Sequence, residues 1–394
     1  MINVGLVGTG SISRMHLEAY RRFAGCEGFP RRCKVTALVD ISPDYAEQRK
    51  REFPFLADAK IYESHQEMLA AGGIDLVDIC TPPFCHAGIA VDSLNAGRHV
   101  IVEKPMAESL AECDAMISAA EKSGTVLSVI AQNRFRKEVY NLKKTLDTGK
   151  IGKIVHAQVD SFWWRGHSYY DLWWRGSWEK EGGGCTLNHA VHHIDMLGWM
   201  MGLPAEVCAI ISNAAHDNAE VEDISVAVMR YTGGARTANG ALAQVTSSVV
   251  HHGEEQQIVF QGEKARISFP WRTAAHHAQP NGFPAKEQNE ALLRELDDFY
   301  RALPDLPYSG HTAQIDNVLA AIETGGKPLV GGRDGRLTIE LITAIYKAGI
   351  TRRAVDLPVR EDDEYYTTEG ILRDAPRFYQ KTVSVQDLSG EIRT

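Results

Sequence analysis

Residues 2–13, INVGLVGTGSIS, decide the fold. Ile2 to Val7 is a short apolar run that reads as a buried strand. It passes into GTGSIS, and His16 to Phe23 then continues with helical character. Strand, glycine-rich turn and helix in that order suit a phosphate. Gly8 permits the tight turn, and Gly10 lets the backbone approach a pyrophosphate at the helix N-terminus. Ser13 stands where the dinucleotide fingerprint has its third glycine and is small enough for close helix–strand packing. A second β-rich run, Val35 to Val39, ends in Asp40, where the fingerprint expects an acid for the ribose hydroxyls. The interval is longer than usual, with Ala24 to Cys33 read as an extended loop. A carboxylate here repels a 2′-phosphate, which favours NAD over NADP.

The alternation continues. Ala59 to Tyr62, Ile74 to Cys80, His99 to Glu103 and Thr125 to Ala131 read as strands, separated by helical stretches. Strands alternating with helices predict a parallel sheet covered on both faces, an α/β Rossmann domain over residues 1–131. Its strand-end loops, TPP and EKP, would line a cofactor crevice. After Gln132 the grammar changes. One helix, Arg136 to Thr148, precedes consecutive β-rich runs at 154–162, 207–211, 224–231, 240–250, 258–261 and 265–269. Three late helical patterns follow, at 287–303, 311–323 and 335–349. This predicts an α+β domain with a large, mostly antiparallel sheet over 132–358. Residues 359–394 form a polar C-terminal extension with no clear pattern.

Bulk properties exclude several classes. A net charge of −9 over 394 residues argues against a nucleic-acid partner. Seven cysteines without a C-x-x-C pair suit a reducing compartment and give no disulfide framework. No apolar run approaches membrane-spanning length, and a strand beginning at Ile2 leaves no room for a signal peptide, so a cytoplasmic location is expected.

The second informative stretch is GGGCTLNHAVHHID, residues 182–195. Asn188, His192 and Asp195 fall at i, i+4 and i+7, which one continuous helix would place on one face. The glycine run is expected to bring backbone N–H groups close to a ligand. His189 and His193 lie on a neighbouring stripe, and HExxH is absent, so no metal is expected. Just upstream, SFWWRGHSYYDLWWRGSW (161–178) holds five of the seven tryptophans. Aromatic faces suit the C–H faces of a pyranose, and Arg165, Tyr170 and Arg175 are the candidates for its hydroxyls. His311, opening a late helix, is a further candidate.

GTGSIS, CTPPFCH, EKPMA and GGGCTLNHAVHHID, in this order, resemble the glucose–fructose oxidoreductase / inositol dehydrogenase / rhizopine-catabolism (Gfo/Idh/MocA) family. The resemblance covers roughly residues 2 to 355, with EKP its most specific mark. It implies a Rossmann domain followed by an α+β domain whose open sheet serves oligomerisation, as a dimer or tetramer. It also implies an NAD(P)-dependent oxidoreductase acting on CH–OH groups of sugars, cyclitols and related small molecules. Lys104 matches the catalytic or substrate-orienting lysine, and His192 the proton-transfer histidine. Asn188 falls where many members have Asp, and can hydrogen-bond a substrate hydroxyl without holding a charge against His192. Residues expected at the cofactor are Gly8, Thr9, Gly10, Ser11, Ile12, Asp40, Thr81, Pro82, His86, Glu103, Lys104 and Arg134. Those expected at the substrate are Lys104, Arg165, Tyr170, Arg175, Asn188, His192 and His311. The chemistry asks for these types: a base of near-neutral pKa takes the hydroxyl proton while a cation stabilises the oxygen. Two other readings keep the same residues: an NAD-dependent glycosidase or lyase working through transient oxidation, and a non-catalytic sugar or dinucleotide sensor.

Overall fold

The computed structural model describes residues 1–25 and 31–386. Part of the expected 24–33 loop, Cys26 included, lies outside these residues. Six parallel strands, β1 Ile2–Val7, β2 Cys33–Val39, β3 Lys60–Tyr62, β4 Leu76–Ile79, β5 His99–Val102 and β6 Leu127–Val129, form the first sheet. Their order is β3-β2-β1-β4-β5-β6, the arrangement of a Rossmann fold. The connecting helices are α1 Ser13–Phe23, α2 Pro43–Glu52, α3 His65–Ala71, α4 His86–Asn95 and α5 Leu110–Ser123. The sequence reading did not place α2, whose run PDYAEQRKRE buries only Ala46 and Arg49 and so carries little apolar periodicity. The order reverses beside β1, so the crevice opens where the carboxyl ends of β1 and β4 diverge. Gly8 sits there at φ +89°, and a Cβ on it would lie 2.7 Å from the Cys80 carbonyl oxygen.

The second half is built on α6 Lys137–Asp147, β7 Ile154–Phe162, the one-turn helices α7 Trp178–Glu181 and α8 Cys185–Asn188, and α9 Val191–Met201. Then come β8 Glu206–Ser212, β9 Ile224–Thr232, β10 Thr237–Ser248, β11 Gln256–Gly262, β12 Arg266–Phe269, β13 Arg272–Ala274, β14 His276–Ala278 and β15 Pro284–Gln288. The chain ends in α10 Glu290–Ala302, α11 Gly310–Thr324, α12 Gly332–Thr351, β16 Val355–Asp356 and α13 Thr368–Asp374. The large sheet has order β13-β12-β11-β7-β10-β9-β8-β16 and is antiparallel except between β7 and β10.

Strict alternation along β9 explains how this sheet is used. Ala227, Met229 and Tyr231 are buried, whereas Val226 and Val228 are exposed. Register places Ile210 beside Val226, and Leu242 lies on the same outward face. One face therefore packs inward and the other presents aliphatic side chains to solvent. Helix α11 comes late in sequence but packs back on the first half. Its Ile315, Val318 and Leu319 share a core with Leu17, Tyr20 and Phe23 of α1. Among the described residues, no helix is long and apolar enough to cross a membrane.

Candidate active site

The glycine loop forms one wall. Thr9 donates to Asp40 Oδ2 through both its backbone N–H (2.8 Å) and its hydroxyl (2.7 Å), and Ser42 N–H donates to Oδ1 (3.0 Å). Asp40 thus stands at the end of β2, tied to the loop. The Ser13 hydroxyl donates to the Gly10 carbonyl at 2.6 Å, closing the turn. A Cβ on Gly10 would meet nothing within 4 Å. The Thr81 hydroxyl, at the end of β4, is buried without a hydrogen-bond partner. An open approach to the loop, a carboxylate beside it and an orphaned hydroxyl opposite it fit a bound dinucleotide.

At the end of β5 the EKP turn, with a cis Lys104–Pro105 bond, projects Lys104 toward the second half of the chain. Its ammonium donates to the Asn188 main-chain carbonyl at 3.2 Å. Burial lowers its pKa; Glu103 pushes back upward and Arg175 adds to the lowering. His192, in the first turn of α9, lines the same narrow cleft as Lys104, together with Asn133 and Thr338. Burial and the Lys104 charge hold its pKa well below 6.5, so its imidazole is neutral at neutral pH.

Several expectations are corrected. The 182–195 stretch is not one helix: α8 ends at Asn188 and α9 begins at Val191. Asn188 therefore leaves the His192 face. Its side-chain amide is spent on the Gly183 carbonyl (3.0 Å) and the Glu181 carbonyl (3.4 Å). Two of the three glycine N–H groups are not free for a ligand either, since Gly182 donates to the Trp178 carbonyl at 3.1 Å and Gly184 to Glu222. Glu222 takes the N–H of Gly184 at 3.0 Å and of Thr186 at 2.9 Å, and also accepts from the Tyr346 hydroxyl at 3.0 Å. A Cβ on Gly183 would lie 2.1 Å from the Tyr346 oxygen, and one on Gly184 would lie 1.9 Å from the Glu222 carbonyl oxygen. The run is small because the protein's own groups press against it.

Arg134, expected at the cofactor, is 1% exposed and hydrogen-bonded through all three of its guanidinium nitrogens. It donates to Asp195 through Nε (2.8 Å) and Nη2 (2.7 Å), and to Asp334 through Nη1 (2.8 Å). His86 is also buried, with its ring nitrogens 2.8 Å from the Thr81 and Pro105 carbonyls, so it clamps the TPP turn to the EKP turn. Glu103 is spent internally. His16 lies between Asp78 (2.8 Å) and Glu103 (3.0 Å), fully buried, and Glu103 Oε2 accepts the Lys104 backbone N–H (3.0 Å). Burial opposes charge on His16, but Asp78 holds its pKa well above 6.5. His311, expected at the substrate, lies 3.4 Å from Glu103 in this same cluster under the glycine loop.

The aromatic segment divides. Tyr170 is 1% exposed, its ring edge-on to His216, so it cannot reach a ligand. Its neighbour Tyr169, which sequence reasoning passed over, has its hydroxyl 3.2 Å from His189 Nε2. Arg175 is sandwiched between the Tyr169 and Trp174 rings, 4.1 Å from each centroid, and donates to Glu181 at 3.0 Å. Arg165 packs over Trp163 and Tyr169 and pairs with Glu254. Trp173 meets Phe84 of the TPP loop edge-on at 6.2 Å. The three histidines do not converge: His193 is buried against the Ser161 hydroxyl at 2.9 Å. Burial pushes the Cys80 thiol up to about 12 and Cys85 up to about 11, so neither is a ready nucleophile.

With this geometry in view, comparison with known proteins is decisive. A family model described as "Oxidoreductase family, NAD-binding Rossmann fold" matches residues 2–131, and the "GFO/IDH/MocA C-terminal domain" matches residues 139–268. The chain belongs to the GFO/IDH/MocA oxidoreductase family. Levoglucosan dehydrogenase of Pseudarthrobacter phenanthrenivorans is 27% identical over 91% of this chain and 98% of that protein. Myo-inositol 2-dehydrogenase of Thermotoga maritima is 24% identical over 90% and 98%. Among solved structures, the WlbA dehydrogenase from Bordetella pertussis, in complex with NADH and UDP-GlcNAcA, superposes with a TM-score of 0.75. It is 29% identical over 91% of this chain and 98% of that one. This GFO/IDH/MocA protein is accordingly an NAD-binding oxidoreductase.

Proposed function

We propose that the protein oxidises a secondary hydroxyl of a sugar, sugar derivative or cyclitol to a ketone, reversibly. The observation that carries this reading is the meeting of Lys104 and His192 in one cleft, from opposite halves of the chain. NAD, when bound along the glycine loop, supplies the hydride acceptor. Gly8 to Ile12, Thr81 and Pro82 would hold its pyrophosphate side. Asp40 would take the ribose hydroxyls, which favours NAD over NADP. Lys104 orients the reacting oxygen and stabilises negative charge on it. His192, neutral because its pKa is depressed, accepts the hydroxyl proton at a ring nitrogen. Asn188 contributes its main-chain carbonyl to Lys104 and retains only its side-chain oxygen for a substrate hydroxyl. Arg165, Tyr169 and Arg175 form the sugar-side wall. The exposed aliphatic face of the large sheet supports a homo-oligomer, a dimer or tetramer.

The test is a spectrophotometric screen of sugars, glycosides and inositols with NAD and NADP separately. Lys104→Ala is expected to lose at least about a hundredfold in kcat while still binding NAD. Unchanged turnover removes the lysine from the mechanism, and a faster rate with NADP removes Asp40 from cofactor choice.

A further inference from the structure

The C-terminal extension, featureless in sequence, is tied along the back of the sugar-side wall. The Trp178 indole N–H donates to the Pro376 carbonyl at 2.8 Å, and Phe378 N–H to the Glu220 carbonyl at 3.1 Å. Lys381 reaches the Tyr170 carbonyl. Val385 then pairs with the wall itself: its N–H donates to the Asp171 carbonyl and its carbonyl accepts the Trp173 N–H, both at 2.8 Å.

One side chain joins the two segments. Asn218 is buried between them, and its amide donates to Asp171 Oδ1 (2.8 Å) and to the Val383 carbonyl (3.1 Å). Its oxygen accepts the N–H groups of Thr382 (2.8 Å) and Val383 (2.9 Å). Asp171 closes a short 3-10 helix, His167–Asp171, and Leu172 and Trp173 after it lie outside either large sheet, so the polar groups of this stretch need partners from elsewhere. A carboxamide is suited to this place because it donates and accepts at once.

We propose that Asn218 is a positioning residue that, through the strap of residues 376–386, fixes the Tyr169–Arg175 wall and thereby sets affinity for the sugar. The proposal rests on the dehydrogenase reading above. Strap and wall share hydrogen bonds on both sides of Leu172, so loosening the strap frees the backbone that carries Arg175 and Tyr169. Among the described residues neither is tied to the glycine loop; the wall meets the TPP loop at the Trp173–Phe84 ring edge, so loosening the strap changes sugar affinity more than NAD affinity.

The experiment uses the full-length protein. Asn218→Asp keeps the shape but sets a carboxylate against Asp171. It is expected to raise the sugar KM on the order of tenfold, the scale of one lost charged hydrogen bond, with kcat and NAD affinity within about twofold of wild type. Adding Asp171→Asn to the same chain restores a donor and returns KM toward wild type. Val385→Pro removes a single strap N–H and is expected to raise KM likewise. In both single variants the Trp173 amide exchanges faster with solvent. An unchanged KM in both variants overturns the proposal, as does a loss of NAD affinity equal to the loss of sugar affinity. If the wild-type protein oxidises no sugar or cyclitol, the dehydrogenase reading fails. Amide exchange then decides for the strap: unchanged protection across 169–178 in Asn218→Asp overturns it, and lost protection sustains it.

Discussion

Asp195→Ala tests what holds the His192 helix in place. Asp195 lies one turn along α9 from His192 and meets Arg134, which follows the last Rossmann strand, in a two-bond ion pair. It also accepts from the Thr338 hydroxyl of α12 at 3.2 Å. Burial opposes charge on Arg134, yet Asp195 and Asp334 hold its pKa above the ordinary value. Removing one partner of a buried pair costs about 3–5 kcal/mol, because the other charge is left uncompensated. Arg134 keeps its 2.8 Å contact to the partly exposed Asp334, which places the loss near the lower end, about 3 kcal/mol. At roughly 2 °C per kcal/mol for a chain of this size, the melting temperature should fall by about 6 °C. Asp195→Asn, which keeps shape and one acceptor, should cost about half as much. Arg134→Lys cannot reproduce the fork and should destabilise as well, while NAD affinity stays unchanged. Urea unfolding followed by tryptophan fluorescence, with NAD titration of each variant, provides the readout. If Asp195→Ala lies within about 1 kcal/mol of wild type, or Arg134→Lys weakens NAD binding without destabilising, the anchoring argument fails.

Other consequences can be measured directly. Neutral His192 persists above its depressed pKa and charged Lys104 below its own, so kcat/KM should fall on the acid side only below pH 6.5 and on the alkaline side before pH 10.5. An acid limb centred above 6.5 would contradict the burial of His192. Glu108 is buried beside Glu112, Glu179 and Glu181, its pKa pushed up to about 8 from 4.5. Its contribution to stability is therefore complete below pH 4.5 and lost as pH rises to about 8. Glu108→Gln escapes that loss, and its advantage in urea unfolding should grow with pH to about 5 kcal/mol at most. The glycines separate by role: Gly184→Ala collides with the Glu222 backbone and should abolish soluble folded protein, whereas Gly10→Ala has room. Gly10→Ala should keep its melting temperature and weaken NAD at least about tenfold, since backbone approach to the pyrophosphate is blocked.

The alternation of strands and helices up to Gln132 was legible because local hydrophobic period and turn chemistry fix it. So were the glycine loop, Asp40 and Lys104, each at a strand end where position in the fold follows from position in the chain. The error over Asn188 has a different origin. Helical spacing from 188 to 195 assumes one helix, but packing of Gly182–Gly184 against Glu108, Tyr346 and Glu222 breaks the chain at His189 and Ala190.

Sequence by itself determined the parallel sheet followed by a mostly antiparallel one and the glycine turn after β1, since these depend on residues near one another in the chain. Tertiary structure alone decided which charged groups remain free for a ligand. Arg134, Glu103 and His86 look available in sequence, yet each is consumed by a partner far along the chain: Asp195 and Asp334, His16, and the Pro105 carbonyl. The choice between Tyr169 and Tyr170 was of the same kind. Two adjacent tyrosines have equivalent composition, and only packing separates them: Tyr169 lies half-buried against His189 and Arg175, whereas Tyr170 is buried against His216. A buried polar group must be satisfied wherever its partner happens to lie, and no local pattern in the sequence records that distance.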